Sequence, residues 1–184
     1  ILEKKTVLYH LYKKKAFEMM DEDREYEIYE QLNRYLSINS YHQYEVSNYS
    51  LPNMESNHNL VYWNNKHYLG IGAGASYYID NIRYTNIMNL ESYYKGIEAG
   101  KLNYLEEKSL SFHEQMQEEL LLGFRKVNGI SISGFFNKFG KDVFSIFPII
   151  NDLIKKDLLE LNKDNLFIPK NRLYLSNAVL VHFI

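Results

Sequence analysis

From about residue 105 onward the chain is punctuated so often that only short elements fit between the marks. Ser111-Phe112-His113-Glu114 has capping-box spacing, in which the serine hydroxyl and the glutamate each satisfy an otherwise unpaired N–H at a helix start. The helix it opens carries Leu120, Leu121 and Phe124, and Asn128-Gly129 turns the chain. Ser131 can cap a short helix that ends at Gly140. A longer helix carries Phe144, Phe147, Ile150 and Ile154, and Pro148 bends or divides it, because proline lacks an N–H and crowds the preceding turn. Leu158 to Leu161 and Leu166 to Ile168 flank Asn162-Lys163-Asp164-Asn165 and read as a hairpin, and Asn171 starts a last helix. Three helices, a hairpin and a closing helix suggest a winged-helix-like, mainly helical C-terminal domain over 105–184.

Residues 1–104 read differently, and the whole is α/β (α+β overall). Ile1-Leu2-Glu3 reads as the end of a strand, and Lys13-Lys14-Lys15 as a solvated connector. Asp21-Glu22-Asp23 opens a helix with Ile28, Leu32, Tyr35 and Leu36 at helical spacing, its acids matched to the positive end of the helix dipole. Tyr41 to Val46 reads as a strand, so helix and strand together fit one α/β repeat. Leu51 to Asn57, with Pro52, reads as a loop. Tyr68 to Ile71 reads as a buried strand ending in Gly70, Gly72 and Gly74. Tyr77-Tyr78-Ile79 and Ile82-Arg83-Tyr84 flank a hairpin turn at Asp80-Asn81, and Asn89 can cap a short helix through Tyr93-Tyr94.

Composition excludes several classes of function. The 184 residues, 46% apolar, suffice for one large or two small domains, and a net charge of −2 gives no overall basic field for nucleic acid or anionic membranes. In 111–184 the basic residues, such as Arg125, Lys126, Lys155 and Lys156, are interleaved with acids such as Asp152 and Asp157, so no cationic cluster exists to neutralise phosphates. No apolar run reaches the roughly 18 residues of a membrane span. There is no cysteine, hence neither a disulfide nor a cysteine-ligated zinc or iron–sulfur site in this chain. The histidines show no His-x-x-x-His or His-Glu-x-x-His spacing, and no Gly-x-Ser-x-Gly elbow is present. The glycine-rich segment runs toward a strand and lacks the Lys-Ser/Thr ending of a P-loop, which argues against a phosphate site. The chain opens on Ile1 rather than Met, and a fragment of a longer protein is expected. Its many tyrosines are compatible with a Tyr-rich core and surface or with flat contact surfaces for a flat ligand.

One region concentrates chemistry-bearing residues: Gln43-Tyr44-Glu45-Val46-Ser47-Asn48-Tyr49, then Glu55-Ser56-Asn57-His58-Asn59-Leu60-Val61-Tyr62-Trp63, then Tyr68-Leu69-Gly70-Ile71-Gly72-Ala73-Gly74-Ala75. In order and wording it resembles the oxygen-independent coproporphyrinogen III oxidase-like radical SAM family. Within that family His58-Asn59-x-x-Tyr62 is similar to the motif of the heme-chaperone (HemW-like) branch. The resemblance extends over nearly the whole chain, through Arg83-Tyr84-Thr85-Asn86-Ile87, Glu118 to Arg125 (the start of the family's C-terminal domain) and Leu175-Ser176-Asn177-Ala178-Val179. It departs at Ser76, where many members carry histidine, and in lacking the Cys-x-x-x-Cys-x-x-Cys motif.

The resemblance implies the last part of a partial (β/α) barrel in 1–104, followed by the C-terminal domain, in a cytoplasmic protein. SAM and a 4Fe–4S cluster would be held by the full-length protein outside this chain. The implied function is heme binding and transfer, with an apo-hemoprotein or a respiratory membrane protein as acceptor. The alternatives are coproporphyrinogen oxidation and a non-catalytic interaction module. His58 is the implied axial ligand, since neutral imidazole commonly holds heme iron, although a lone histidine is more often structural or simply exposed. Asn59, Tyr62 and Trp63 belong to the same motif, with Tyr62 either bonding a propionate or orienting the histidine. Gly70, Gly72 and Gly74 would leave room for a bulky ligand near the barrel mouth, or merely make a tight strand end. Glu45, just inside the end of a strand, is a pocket candidate, as residues at barrel-strand ends often are. His42 is the spare ligand should a second be needed. A barrel cut midway exposes a sheet edge through which two copies can pair.

Overall fold

The computed structural model describes residues 2–184. Ile1 lies outside the described residues, and Leu2 and Glu3 of the expected strand end belong to no regular element. The chain falls into two compact units, one ending at Tyr41 and one spanning His42–Ile184.

The first unit is helical. Helix α1 covers Val7–Lys13, with the Thr6 hydroxyl accepting the Tyr9 N–H. Lys13 thus closes a helix, where the sequence reading had a connector throughout; the threonine cap was the overlooked signal. Helix α2, Glu22–Ile38, starts where its acids indicate, with the Asp21 carboxylate accepting the Arg24 N–H. Its apolar stripe is open: Ile28, Leu32 and Tyr35 are 42%, 47% and 67% exposed.

The second unit begins with strands β1 (His42–Gln43) and β2 (Tyr49–Ser50), paired antiparallel. The strand expected over Tyr41 to Val46 is therefore short. Beyond Gln43 the chain instead bridges to a C-terminal segment: Tyr44 C=O accepts the Val127 N–H and Val46 N–H donates to Arg125 C=O. Helix α3 (Asn57–Trp63) follows. Strands β3 (Ser76–Ile79), β4 (Ile82–Asn86) and β5 (Tyr104–Ser109) form an antiparallel sheet in that order. Asp80 and Asn81, at φ +50° and +63°, make the tight β3–β4 turn that twisted hairpins favour. Helix α4 (Leu90–Glu98) is capped by Asn89, as expected, and runs a turn longer.

Tyr68 to Ile71 is not a buried strand. Only Tyr68 bridges to Tyr78, and Leu69 and Ile71 are 71% and 89% exposed. Gly72 and Gly74, at φ +113° and +72°, turn the chain there instead of extending it. Among the described residues every strand pairing is antiparallel.

The remaining elements follow the sequence punctuation closely. They are α5 (Phe112–Gly123), β6 (Ile130–Ser131), α6 (Ile132–Phe139), α7 (Val143–Ile146), α8 (Ile149–Lys155), β7 (Glu160–Asn162) and β8 (Asn165–Phe167). Ser111 and Glu114 make the reciprocal capping box. Gly140 ends α6 at φ +63°, and Pro148 separates α7 from α8. The expected closing helix is broken into 3-10 turns at Lys170–Leu175 and Val181–Phe183 around α9, Ser176–Leu180. A sheet ordered β6-β8-β7 packs with these helices over one contiguous core, including Leu120, Phe124, Ile150, Leu166, Leu173 and Phe183. Fully burying each such side chain contributes about 1.5–3 kcal/mol.

Candidate functional site

Helix α3 carries the His58 motif. Ser56 starts it by accepting the Asn59 N–H on its hydroxyl at 3.3 Å. His58 and Tyr62 stand four residues apart and so share one face. The Tyr62 phenol oxygen lies 2.8 Å from His58 Nε2, and the rings meet edge to face with centroids 4.9 Å apart. With Nδ1 protonated, the phenol donates to Nε2. Of the two roles open to Tyr62 in the sequence, its contact here is with the imidazole. Tyr68 backs Tyr62 in turn, edge to face at 4.5 Å. The His58 side is exposed to solvent.

The other motif residues are held from behind. The Asn59 amide donates to the Tyr44 hydroxyl at 3.4 Å. The Arg125 guanidinium lies over the Trp63 ring at 5.5 Å, and the buried Trp63 Nε1–H has no acceptor among the described residues. Glu45, 1% exposed, accepts the Ser47 N–H at 3.1 Å and the Asn48 amide, so its carboxylate is used within its own turn. His42 sits on β1 at the rim of a cavity of about 430 Å³ with Tyr44, Leu60, Asn64 and Lys126. Burial pushes the Lys126 ammonium below its usual range, and it donates to Asn64 Oδ1 at 2.6 Å.

The glycine segment is a separate construction. A Cβ on Gly70 would lie 2.3 Å from the Ser76 carbonyl oxygen, so only glycine fits there. The buried Asn86 amide donates to the Gly72 carbonyl at 2.9 Å, and the Gly74 N–H donates to Ile87 C=O at 3.1 Å. The segment leads into β3 rather than a helix, as the sequence indicated. No hydrogen bond or ring contact among the described residues joins it, or Glu45, to His58.

Sequence reasoning missed the residue on which the site converges. Arg83, on β4, donates to Glu118 Oε2 from Nε and Nη2, to Asn65 Oδ1 and to the Tyr68 hydroxyl, and lies 4.0 Å over the Tyr78 ring. Burial raises the Tyr78 phenol above its usual pKa, with the Arg83 charge acting in the opposite direction. Arg83, Tyr62, Tyr68, Glu118, Leu121 and Leu122 line a cavity of about 270 Å³. An arginine amid β-branched and aromatic residues was the available signal; its partners, up to 35 positions away, had none. Among the described residues no group of three or more His, Cys, Asp or Glu side chains is arranged for a metal ion. Axial ligation of a heme needs only one imidazole.

Comparison with known proteins places this geometry in a family. Residues 110–171 match the model of the HemN C-terminal domain. The whole chain aligns with proteins named heme chaperone HemW: that of Bacillus subtilis at 34% identity, covering 49% of its length, and that of Lactococcus lactis at 36%, covering 48%. The fold is similar to that of a coproporphyrinogen III oxidase, HemN from Escherichia coli, a radical SAM enzyme, with a TM-score of 0.70 over 89% of this chain and 42% of the other, at 12% identity. The chain is thus similar to the coproporphyrinogen III oxidase-like family, with its C-terminal region matching that family's HemN C-terminal domain. The relatives it aligns with along its whole length are named heme chaperones; the chain spans about half the length of the curated relatives it matches and corresponds to their C-terminal portion.

Proposed function

We propose that the protein carrying this chain binds heme and passes it to acceptor proteins, with His58 as the axial ligand to the iron. The observation that carries this reading is the exposed His58 imidazole, held on a capped helix with Tyr62 and Tyr68 behind it. The relatives named heme chaperones, aligned along the whole chain, support it. Half-buried Leu60, Val61 and Trp63 offer apolar contact beside the ligand. Ligation uses the lone pair of the neutral ring. With no cysteine here, a 4Fe–4S cluster and its SAM belong to the part of the full-length protein outside this chain.

In this reading residues 1–104 complete a partial (β/α) barrel and residues 105–184 form a winged-helix-like lid or docking domain. The open α2 stripe supports a barrel edge that the rest of the full-length protein covers; expressed alone, the chain pairs through that edge. The protein works in the cytoplasm, with an apo-hemoprotein or a respiratory membrane protein receiving the heme.

The test is a hemin titration by absorption spectroscopy on the full-length protein and on this chain, each with its His58→Ala variant. A saturable Soret shift that the variant loses is the expected result. A shift that survives unchanged overturns His58 as ligand, and conversion of coproporphyrinogen to protoporphyrinogen by the full-length protein overturns the chaperone reading in favour of an oxidase.

A further inference from the structure

In the tautomer with Nδ1 protonated, the phenol on His58 Nε2 occupies the nitrogen lone pair that an iron would take, so the position of Tyr62 decides whether that nitrogen is free or capped. Tyr62 is not positioned by its own helix alone. Tyr68 packs edge to face against it at 4.5 Å, and the Tyr68 hydroxyl accepts a hydrogen bond from Arg83 Nη1 at 3.3 Å. Arg83 is itself fixed. Its Nη2 and Nε reach Glu118 Oε2 at 2.6 and 3.1 Å, and Nη2 reaches Asn65 Oδ1 at 2.9 Å. Asn65, just past the end of α3, is 4% exposed and sits at φ +46°. One planar guanidinium therefore ties together the end of the ligand helix, the ring behind Tyr62, strand β4 and helix α5. A lysine has a single nitrogen and cannot make this set of contacts.

The Arg83–Glu118 pair is three-quarters buried, each side chain being 25% exposed, which limits its freedom to exchange for water. The cavity of about 270 Å³ bounded by Tyr62, Tyr68, Arg83 and Glu118 gives the phenol somewhere to go when it leaves Nε2. A ring that has both a fixed position and an adjoining space has the makings of a latch.

We propose that Arg83 is a positioning residue for His58: clamped by Glu118 on α5, it holds Tyr68 and through it Tyr62, keeping Nε2 capped until the phenol is displaced. The consequence for ligand uptake rests on the heme reading above; the hydrogen-bond chain does not. Through this chain α5 sets how available the imidazole is.

The experiment uses full-length protein labelled with ¹⁵N in histidine. The His58 Nε2 resonance is recorded without heme in the parent, Tyr62→Phe, Arg83→Lys, Tyr68→Phe and the Arg83→Lys/Tyr62→Phe double variant. Tyr62→Phe removes the bond and shifts Nε2. Arg83→Lys is expected to shift it the same way, and the double variant to add nothing to Tyr62→Phe. Hemin association is then followed in the same set, with Tyr62→Phe and Arg83→Lys each roughly threefold to tenfold faster, as the loss of one hydrogen bond implies, and not multiplicative. Tyr68→Phe keeps the ring packing and removes only the Arg83 contact, so it carries the test if Arg83→Lys does not fold. An Nε2 resonance unmoved by Arg83→Lys or Tyr68→Phe, whatever happens to the melting temperature, makes Arg83 purely structural and overturns the proposal. If Nε2 moves but His58→Ala leaves hemin binding intact, the positioning role stands and the heme reading fails. If His58→Ala abolishes binding while Nε2 stays put, the heme reading stands and this inference fails.

Discussion

Two glycines with nearly the same backbone angle should respond very differently to alanine. Gly129 has φ +62° and Gly140 φ +63°. At Gly140 an added Cβ meets nothing within 4 Å, so Gly140→Ala costs only the left-handed conformation, ~1 kcal/mol. At Gly129 the same atom would lie 2.0 Å from the Leu166 carbonyl oxygen and 2.7 Å from Phe167 Cα. That backbone belongs to β8, the middle strand of its sheet, where Leu166 pairs with both Ile130 and Leu161 and is fully buried. It must retreat by about 1 Å, which strains two ladders and loosens the packing of Leu166. Adding ~1–3 kcal/mol for overpacking and about one weakened hydrogen bond gives ~3–5 kcal/mol for Gly129→Ala. That is a large share of the ~5–15 kcal/mol available to a typical fold. Urea unfolding followed through Trp63, the one tryptophan, and by far-UV circular dichroism measures both variants. A midpoint for Gly129→Ala at least twice as far displaced as that for Gly140→Ala is the expected result. Equal displacements would refute the argument that the β8 backbone, not the sign of φ, requires glycine at 129.

The Lys108 ammonium, 2.7 Å away, and the Ser111 N–H and hydroxyl hold the Glu114 carboxyl down to about 2. A carboxyl depressed in the fold stabilises it above the unfolded pKa, about 4.5, and that stabilisation disappears as the pH falls toward 2. Lys108→Met should therefore flatten the acid limb of stability, read as urea midpoints at several pH values below ~5; parallel curves for variant and parent would contradict it. Asn86→Ala removes the amide that holds the Gly70 and Gly72 carbonyls, and should speed proteolytic nicking across 70–74 about tenfold without shifting the unfolding of 111–184. Unchanged nicking would mean that the Gly74–Ile87 hydrogen bond alone fixes the loop.

What the sequence disclosed was local. The caps at Asp21, Asn89, Ser111 and Ser131, the helix stop at Gly140 and the break at Pro148 each act within a few residues, and each was legible. So were the hairpins at Asp80-Asn81 and at Asn162-Lys163-Asp164-Asn165; Asp80, Asn81 and Lys163 carry positive φ, and Asn162 and Asn165 are the paired strand ends of the second. Helix α3 was not, because seven residues offer too little periodicity; Ser56 was its one local mark. Tyr68 to Ile71 looked buried because it is apolar, yet its neighbours are glycines that turn the chain outward. His58 and Tyr62 were legible as members of one motif through the resemblance, but that a helix turns them onto one face was not. Arg83, Asn65 and Asn86 were not, because their roles consist of contacts between residues distant in sequence, which no pattern of neighbours encodes.

The same contrast explains why the candidate ligand helix depends on residues far from it. A seven-residue helix is unstable by itself, since the cost of nucleation is spread over too few hydrogen bonds. Its own sequence contributes one cap. The rest of its support comes from elsewhere: Tyr44 on Asn59, Arg125 over Trp63, Lys126 on Asn64, and Arg83 with Glu119 on Asn65. Glu119, Arg125 and Lys126 all lie on α5 or within three residues of its end, and Arg83 is clamped by Glu118 of the same helix. Helix α5 in turn is anchored in the buried core through Met116, Leu120 and, at its C-cap, Phe124. The rigidity that orients His58 is therefore borrowed from the C-terminal core. Substitutions along the outward face of α5 should disturb the imidazole more than substitutions in the loop that immediately precedes α3, although that loop is far closer in sequence.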